Sequence, residues 1–154
     1  MTECMFYHLK NPSWEQICSQ LALCTAQLFR NWYPTQGQVL VLSEGRLATD
    51  ISSAIWKTPG FVPCEKVITP KDCSAPVIVS QEFSPEYNVL VNLKPFREAF
   101  NETELKSPVI VDFSFGQSLL DKDNVSLQEA LEKSRCRYRQ LKSHFPELKF
   151  ISLD

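Results

Sequence analysis

Apolar positions along the chain change period several times, and each change marks an element. Met5-Phe6-Tyr7-His8-Leu9 is a short strand-like run closed by Asn11-Pro12. Ser13 follows as a helix N-cap, with Gln16 completing a capping box, and Ile17, Leu21, Cys24 and Leu28 recur at helical spacing to about Arg30. Trp32 to Gly37 is predicted as a loop, because Pro34 and Gly37 both interrupt regular structure. Gln38 to Ser43 is the next strand. Its core, Val39-Leu40-Val41-Leu42, is apolar without alternation, as suits a central strand covered on both faces. Leu47, Ile51, Ala54 and Ile55 then return to helical spacing and end near Trp56.

Further strands are predicted at Pro76 to Ser80, Asn88 to Leu93 and Pro108 to Phe113, each rich in Val, Ile or Leu. A long final helix starts around Ser126, where Glu129 completes a second capping box, and stops before Pro146. Phe150-Ile151 is a candidate last strand. Helices alternating with buried-looking strands predict one α/β domain over residues 1–154, a largely parallel sheet flanked by helices in the Rossmann-like manner.

The 154 residues suffice for a real hydrophobic core, and 44% hydrophobic with 22% charged residues is ordinary for a globular protein. The longest apolar runs fall far short of the roughly 20 residues a membrane helix needs. The N-terminus has no basic segment leading into an apolar one, so the reading expects no signal peptide and a cytoplasmic protein. Six scattered cysteines without C-x-x-C read as reduced thiols, and two distant histidines suggest no metal site. No cofactor is expected either, since four glycines build neither a dinucleotide fingerprint nor a P-loop. With G-x-S-x-G also absent, an enzymatic reading rests on fold analogy, with any ligand near Ser43 to Arg46.

A net charge of -2 and a pI near 5.7 argue against general coating of DNA. The segment from Glu132 to Lys149 nevertheless carries +4, which leaves -6 for the remainder. Within it Arg135, Tyr138, Arg139 and Lys142 stand at i, i+3, i+4 and i+7, so three cations and a phenol share one helical stripe. Guanidinium groups pair with carboxylates through forked hydrogen bonds, and a tyrosine ring gives an apolar wall, so such a stripe suits an acidic peptide. The same groups suit phosphates and stacked bases of single-stranded nucleic acid, and charge alone also fits a solvated face without a partner. Trp56 to Pro63 crowds aromatics and prolines at a helix end, where Trp56 and Phe61 serve either as interface anchors or as core.

The order of these motifs resembles the chi subunits of bacterial DNA polymerase III. The likeness runs through Phe6-Tyr7-His8-Leu9, Gly37 to Leu42, Ile55-Trp56 with Phe61-Val62-Pro63, Asn88 to Leu93, Val109 to Phe113, and Arg135-Cys136-Arg137-Tyr138-Arg139. The resemblance implies a non-catalytic bridge in the clamp-loader assembly. Arg135, Tyr138, Arg139 and Lys142 would bind the acidic, hydrophobic-ended tail of single-stranded-DNA-binding protein, and Trp56, Phe61 and Pro63 would face a psi subunit. Gly116 to Val125 is an insertion relative to that pattern.

Overall fold

A strand as uniformly apolar as Val39 to Leu42 is stable only between two covering layers. The computed structural model describes residues 3–9, 14–58, 63–68, 70, 73–115 and 124–153, and places that strand at the centre of a sheet. In chain order the elements are β1 (Glu3–Leu9), α1 (Trp14–Gln36), β2 (Val39–Leu42), α2 (Gly45–Lys57), β3 (Cys64–Val67), β4 (Val77–Ser80) and β5 (Val89–Asn92). They continue with α3 (Glu102–Leu105), β6 (Val109–Phe115), α4 (Asn124–His144) and β7 (Lys149–Leu153). Among the described residues seven strands form one sheet in the order β3-β4-β2-β5-β6-β1-β7, with every pair parallel. The α/β class and the parallel sheet flanked by helices are thus as expected.

Strand alternation divides the interior into two layers. Val39, Val41, Val77, Val79, Val89 and Val91 point to one face, where Ile17, Leu21 and Leu28 of α1 and Leu47, Ile51 and Ile55 of α2 cover them. Phe6, Leu40, Leu42, Ile78, Leu90 and Ile110 point to the other, under Leu141 and Phe145.

Several boundaries differ from the sequence reading. The first helix does not stop at Arg30 but runs to Gln36 through Pro34. A proline so near the end removes few intrahelical bonds, and Gly37, at φ 85°, closes the helix by donating its N–H to the Tyr33 carbonyl at 3.1 Å. The last helix begins at Asn124, so Ser126 lies inside it and is not its N-cap. Ser13 and most of the Gly116 to Val125 insertion lie outside the described residues. Strand β3 was not predicted, because Glu65 and Lys66 break its apolar pattern; it is an edge strand, where charges meet solvent. Short α3 was also missed, although Asn101 and Glu104 form a full capping box.

All six cysteines are free thiols. Among the described residues no helix is long and apolar enough to cross a membrane, and no cluster of side chains is arranged to hold a metal.

Candidate partner-binding face

Helix α4 is oriented by the side chains on its inner face. Ala130, Ser134, Arg137 and Leu141 recur every three or four residues and are all buried. Arg137 is wholly enclosed: its Nε donates to Asp112 Oδ2 at 2.8 Å, and both side chains are 0% exposed. The remaining guanidinium donors go to the carbonyls of Pro95, Arg97 and Phe113. Asp112 Oδ1 in turn accepts from Asn92 Nδ2 at 2.9 Å and from the Phe113 N–H at 2.8 Å. A buried pair survives only when it is well hydrogen-bonded, and here both carboxylate oxygens and all three guanidinium nitrogens have partners, while among the described residues the neighbouring Asn92 Oδ1 is buried without one. Gln140 adds a second stitch, accepting from the Phe100 N–H at 2.7 Å and donating to the Phe100 carbonyl at 2.9 Å.

That network corrects the charge reading. Arg137 was counted in the +4 segment, but its charge is spent internally on Asp112. Lys133 pairs with Glu98 at 3.4 Å and Lys149 with Glu3 at 2.8 Å. Arg135 and Arg139 are exposed and form no ion pair among the described residues. Lys142 is exposed as well, its Nζ donating to the Pro146 carbonyl at 3.1 Å.

At about 100° of rotation per residue, Tyr138, Lys142, Arg135 and Arg139 occupy successive directions within roughly 100° of one another. The four sequence-predicted residues therefore share one side of α4. Of the four, Tyr138 lies nearest the buried stripe and over the sheet, its ring meeting Phe6 of β1 edge-on at 5.1 Å and Phe150 of β7 edge-on at 6.0 Å. Phe6 and Phe150 stack on each other at 6.0 Å, and the His8 ring lies over Phe150 at 6.5 Å. His8 Nδ1 is also 2.6 Å from Ser114 Oγ. Phe150 is 54% exposed, so the cluster presents an open aromatic surface; going round α4 from Tyr138, Lys142 and Arg135 come next, at about 40° and 60°, and Arg139 points nearly opposite the buried stripe. Phe150 went unnoticed in the sequence as a site residue, although an aromatic beginning an edge strand beside Lys149 was a usable signal.

The other predicted surface lies at the opposite edge of the sheet. Trp56, at the end of α2, is 49% exposed, so it is not core. With Pro63 it borders a cavity of about 460 Å³ whose wall includes Cys64 and Glu65 of β3. Phe61 lies outside the described residues.

The turn after β2 was the place for a small ligand. Ser43 Oγ is taken by the Leu93 carbonyl at 3.3 Å, Gly45 adopts φ 62°, and the N-cap Glu44 makes no side-chain cap bond. The adjoining cavity is small, about 170 Å³. An exposed carboxylate at a helix N-terminus repels the phosphate that such a terminus otherwise attracts.

Three of the thiols are poor nucleophiles in this setting. Burial, with a smaller contribution from the Asp112 carboxylate, pushes Cys4 up to about 12, and burial pushes Cys24 and Cys64 up to about 11.

No family model matches the chain, and no curated protein does. Among solved structures it is similar to the Hef helicase domain of Pyrococcus furiosus, at 13% identity and a TM-score of 0.48, over 98% of this chain and 35% of that one. The chain thus spans about a third of that protein's length, and the comparison assigns it no family.

Proposed function

We propose that this chain is a non-catalytic, cytoplasmic accessory subunit of a bacterial replicative DNA polymerase assembly. In this reading it bridges the clamp loader to single-stranded-DNA-binding protein by gripping that protein's acidic C-terminal tail. The observation that carries it is the open Tyr138–Phe150 surface on a helix whose exposed Arg135, Arg139 and Lys142 follow Tyr138 round its outer side. Carboxylates meet the cations, and an apolar chain end meets the rings.

A bridge needs two surfaces that do not collide. Trp56 and Pro63 adjoin edge strand β3, and the cationic face adjoins edge strand β7. Six strand spacings separate those edges, roughly 29 Å, which leaves room for a psi subunit on one side and a tail peptide on the other.

The experiment is calorimetric titration of a short synthetic peptide, aspartates followed by apolar residues and a terminal phenylalanine, into the protein. Arg135→Ala is expected to weaken binding by about tenfold, the size of one charge-assisted hydrogen bond. Binding of bare single-stranded oligonucleotide with steep salt dependence, and none of the peptide, would replace this reading with direct nucleic-acid binding.

A further inference from the structure

We infer that the acidic peptide is held as an added strand on the free edge of β7, an inference that rests on the function proposed above. On its inner side β7 pairs with β1 from Met5↔Lys149 to Leu9↔Leu153. On its outer side no strand lies against it among the described residues, for β7 ends the sheet. Alternate backbone groups of a strand point to opposite sides, so its outer N–H and C=O groups form a template for another extended chain.

Edge strands are ordinarily blunted by proline, by free lysines or by bulges. Strand β7, Lys149-Phe150-Ile151-Ser152-Leu153, contains no proline and runs in unbroken register with β1. Its one charge, Lys149, is drawn back to Glu3 at 2.8 Å. Phe150 and Ser152 are exposed. The edge is open to pairing.

Charge selects the occupant. A strand added about 4.8 Å outside β7 turns alternate side chains toward the face carrying Tyr138 and Phe150. Lys142 and Arg135 come next after Tyr138 round α4, at about 40° and 60°, so acidic side chains are favoured on that side and an apolar one fits beside the exposed Phe150. A second copy of this chain would bring a second Arg135 and Lys142 to the same edge, and like charges oppose that pairing. In this mode the backbone sets register and the side chains set specificity.

The test leaves the protein unaltered and modifies the peptide. Two versions of the synthetic acidic peptide are N-methylated at alternate amides, one at odd and one at even positions, so that each loses donors on one side only. One is expected to lose at least about tenfold in affinity, the size of two lost backbone hydrogen bonds, and the other to bind within about twofold of the unmodified peptide. Amide exchange at Lys149–Leu153 is expected to slow when the unmodified peptide binds.

Equal binding by both versions without slowed exchange, while Arg135→Ala still weakens binding, overturns the added strand and leaves the proposed function standing. Failure of the unmodified peptide to bind removes both. Protection of the β7 amides that rises with protein concentration in the absence of peptide assigns the edge to a second copy and overturns this inference.

Discussion

Replacing Arg137 with methionine tests how the binding face is held in position. The guanidinium sits at 2.8 Å from Asp112, both side chains are 0% exposed, and three backbone carbonyls take its other donors. Methionine fills much of the volume but leaves the carboxylate buried without a cation. Removing one partner of a buried pair costs about 3–5 kcal/mol, against a total stability of about 5–15 kcal/mol for a domain. With a urea slope of about 2 kcal/mol per molar, the unfolding midpoint should fall by roughly 1.5–2.5 M. The assay is equilibrium urea unfolding followed by far-UV circular dichroism and tryptophan fluorescence. The double variant Arg137→Met, Asp112→Leu removes the stranded charge and should recover most of the loss, giving a coupling energy of about 2 kcal/mol or more. A midpoint shift under about 0.5 M for Arg137→Met, or a double variant as unstable as the sum of the singles, would refute the assignment.

Three other perturbations follow from the structure. Asn101→Ala removes the side-chain acceptor that meets the Glu104 N–H at 2.8 Å, and should cost about 1 kcal/mol in the same urea assay. Cys4, Cys24 and Cys64 stay protonated in the folded state up to about 12, 11 and 11, while an ordinary thiol ionises near 9. Above pH 9 the folded chain therefore binds more protons than the unfolded one. Their contribution is fully present below that pH and is lost as pH rises toward 11 and 12, so urea midpoints should decline over that window, and these thiols should react with an alkylating agent more slowly than Cys73. Trp56→Asp should leave acidic-peptide affinity unchanged, since its site lies at the opposite sheet edge, far beyond the distance at which substitutions couple.

Much of the architecture was legible because the strands are intense and the helices periodic. Val39 to Leu42 announced a doubly covered strand, and Ile17, Leu21 and Leu28 all reach the core they implied. What escaped notice obeys weaker local signals. Strand β3 carries Glu65 and Lys66 at a solvent-facing edge, so hydrophobic pattern could not find it. Pro34 read as an interruption, yet the helix outlasts it by two residues to a left-handed Gly37. At the candidate site, spacing put Arg135, Tyr138, Arg139 and Lys142 on one helix, and all four do lie in α4. Arg137 was miscounted as a surface charge. Its cue was available: Asp112 interrupts the apolar run from Val109 to Phe113, and a carboxylate there needs a buried cation. The aromatic floor was not available, because Phe6, Tyr138 and Phe150 meet only through tertiary packing of β1, α4 and β7.

Calorimetric titration of the acidic peptide into the parent protein and into the Arg135→Ala, Arg139→Ala double variant tests the tail-gripping role most directly. Measurable affinity in the parent, weakened by about a hundredfold in a variant with unchanged circular dichroism and urea midpoint, is the expected result. Equal affinity in the two proteins, or no heat in either, contradicts it.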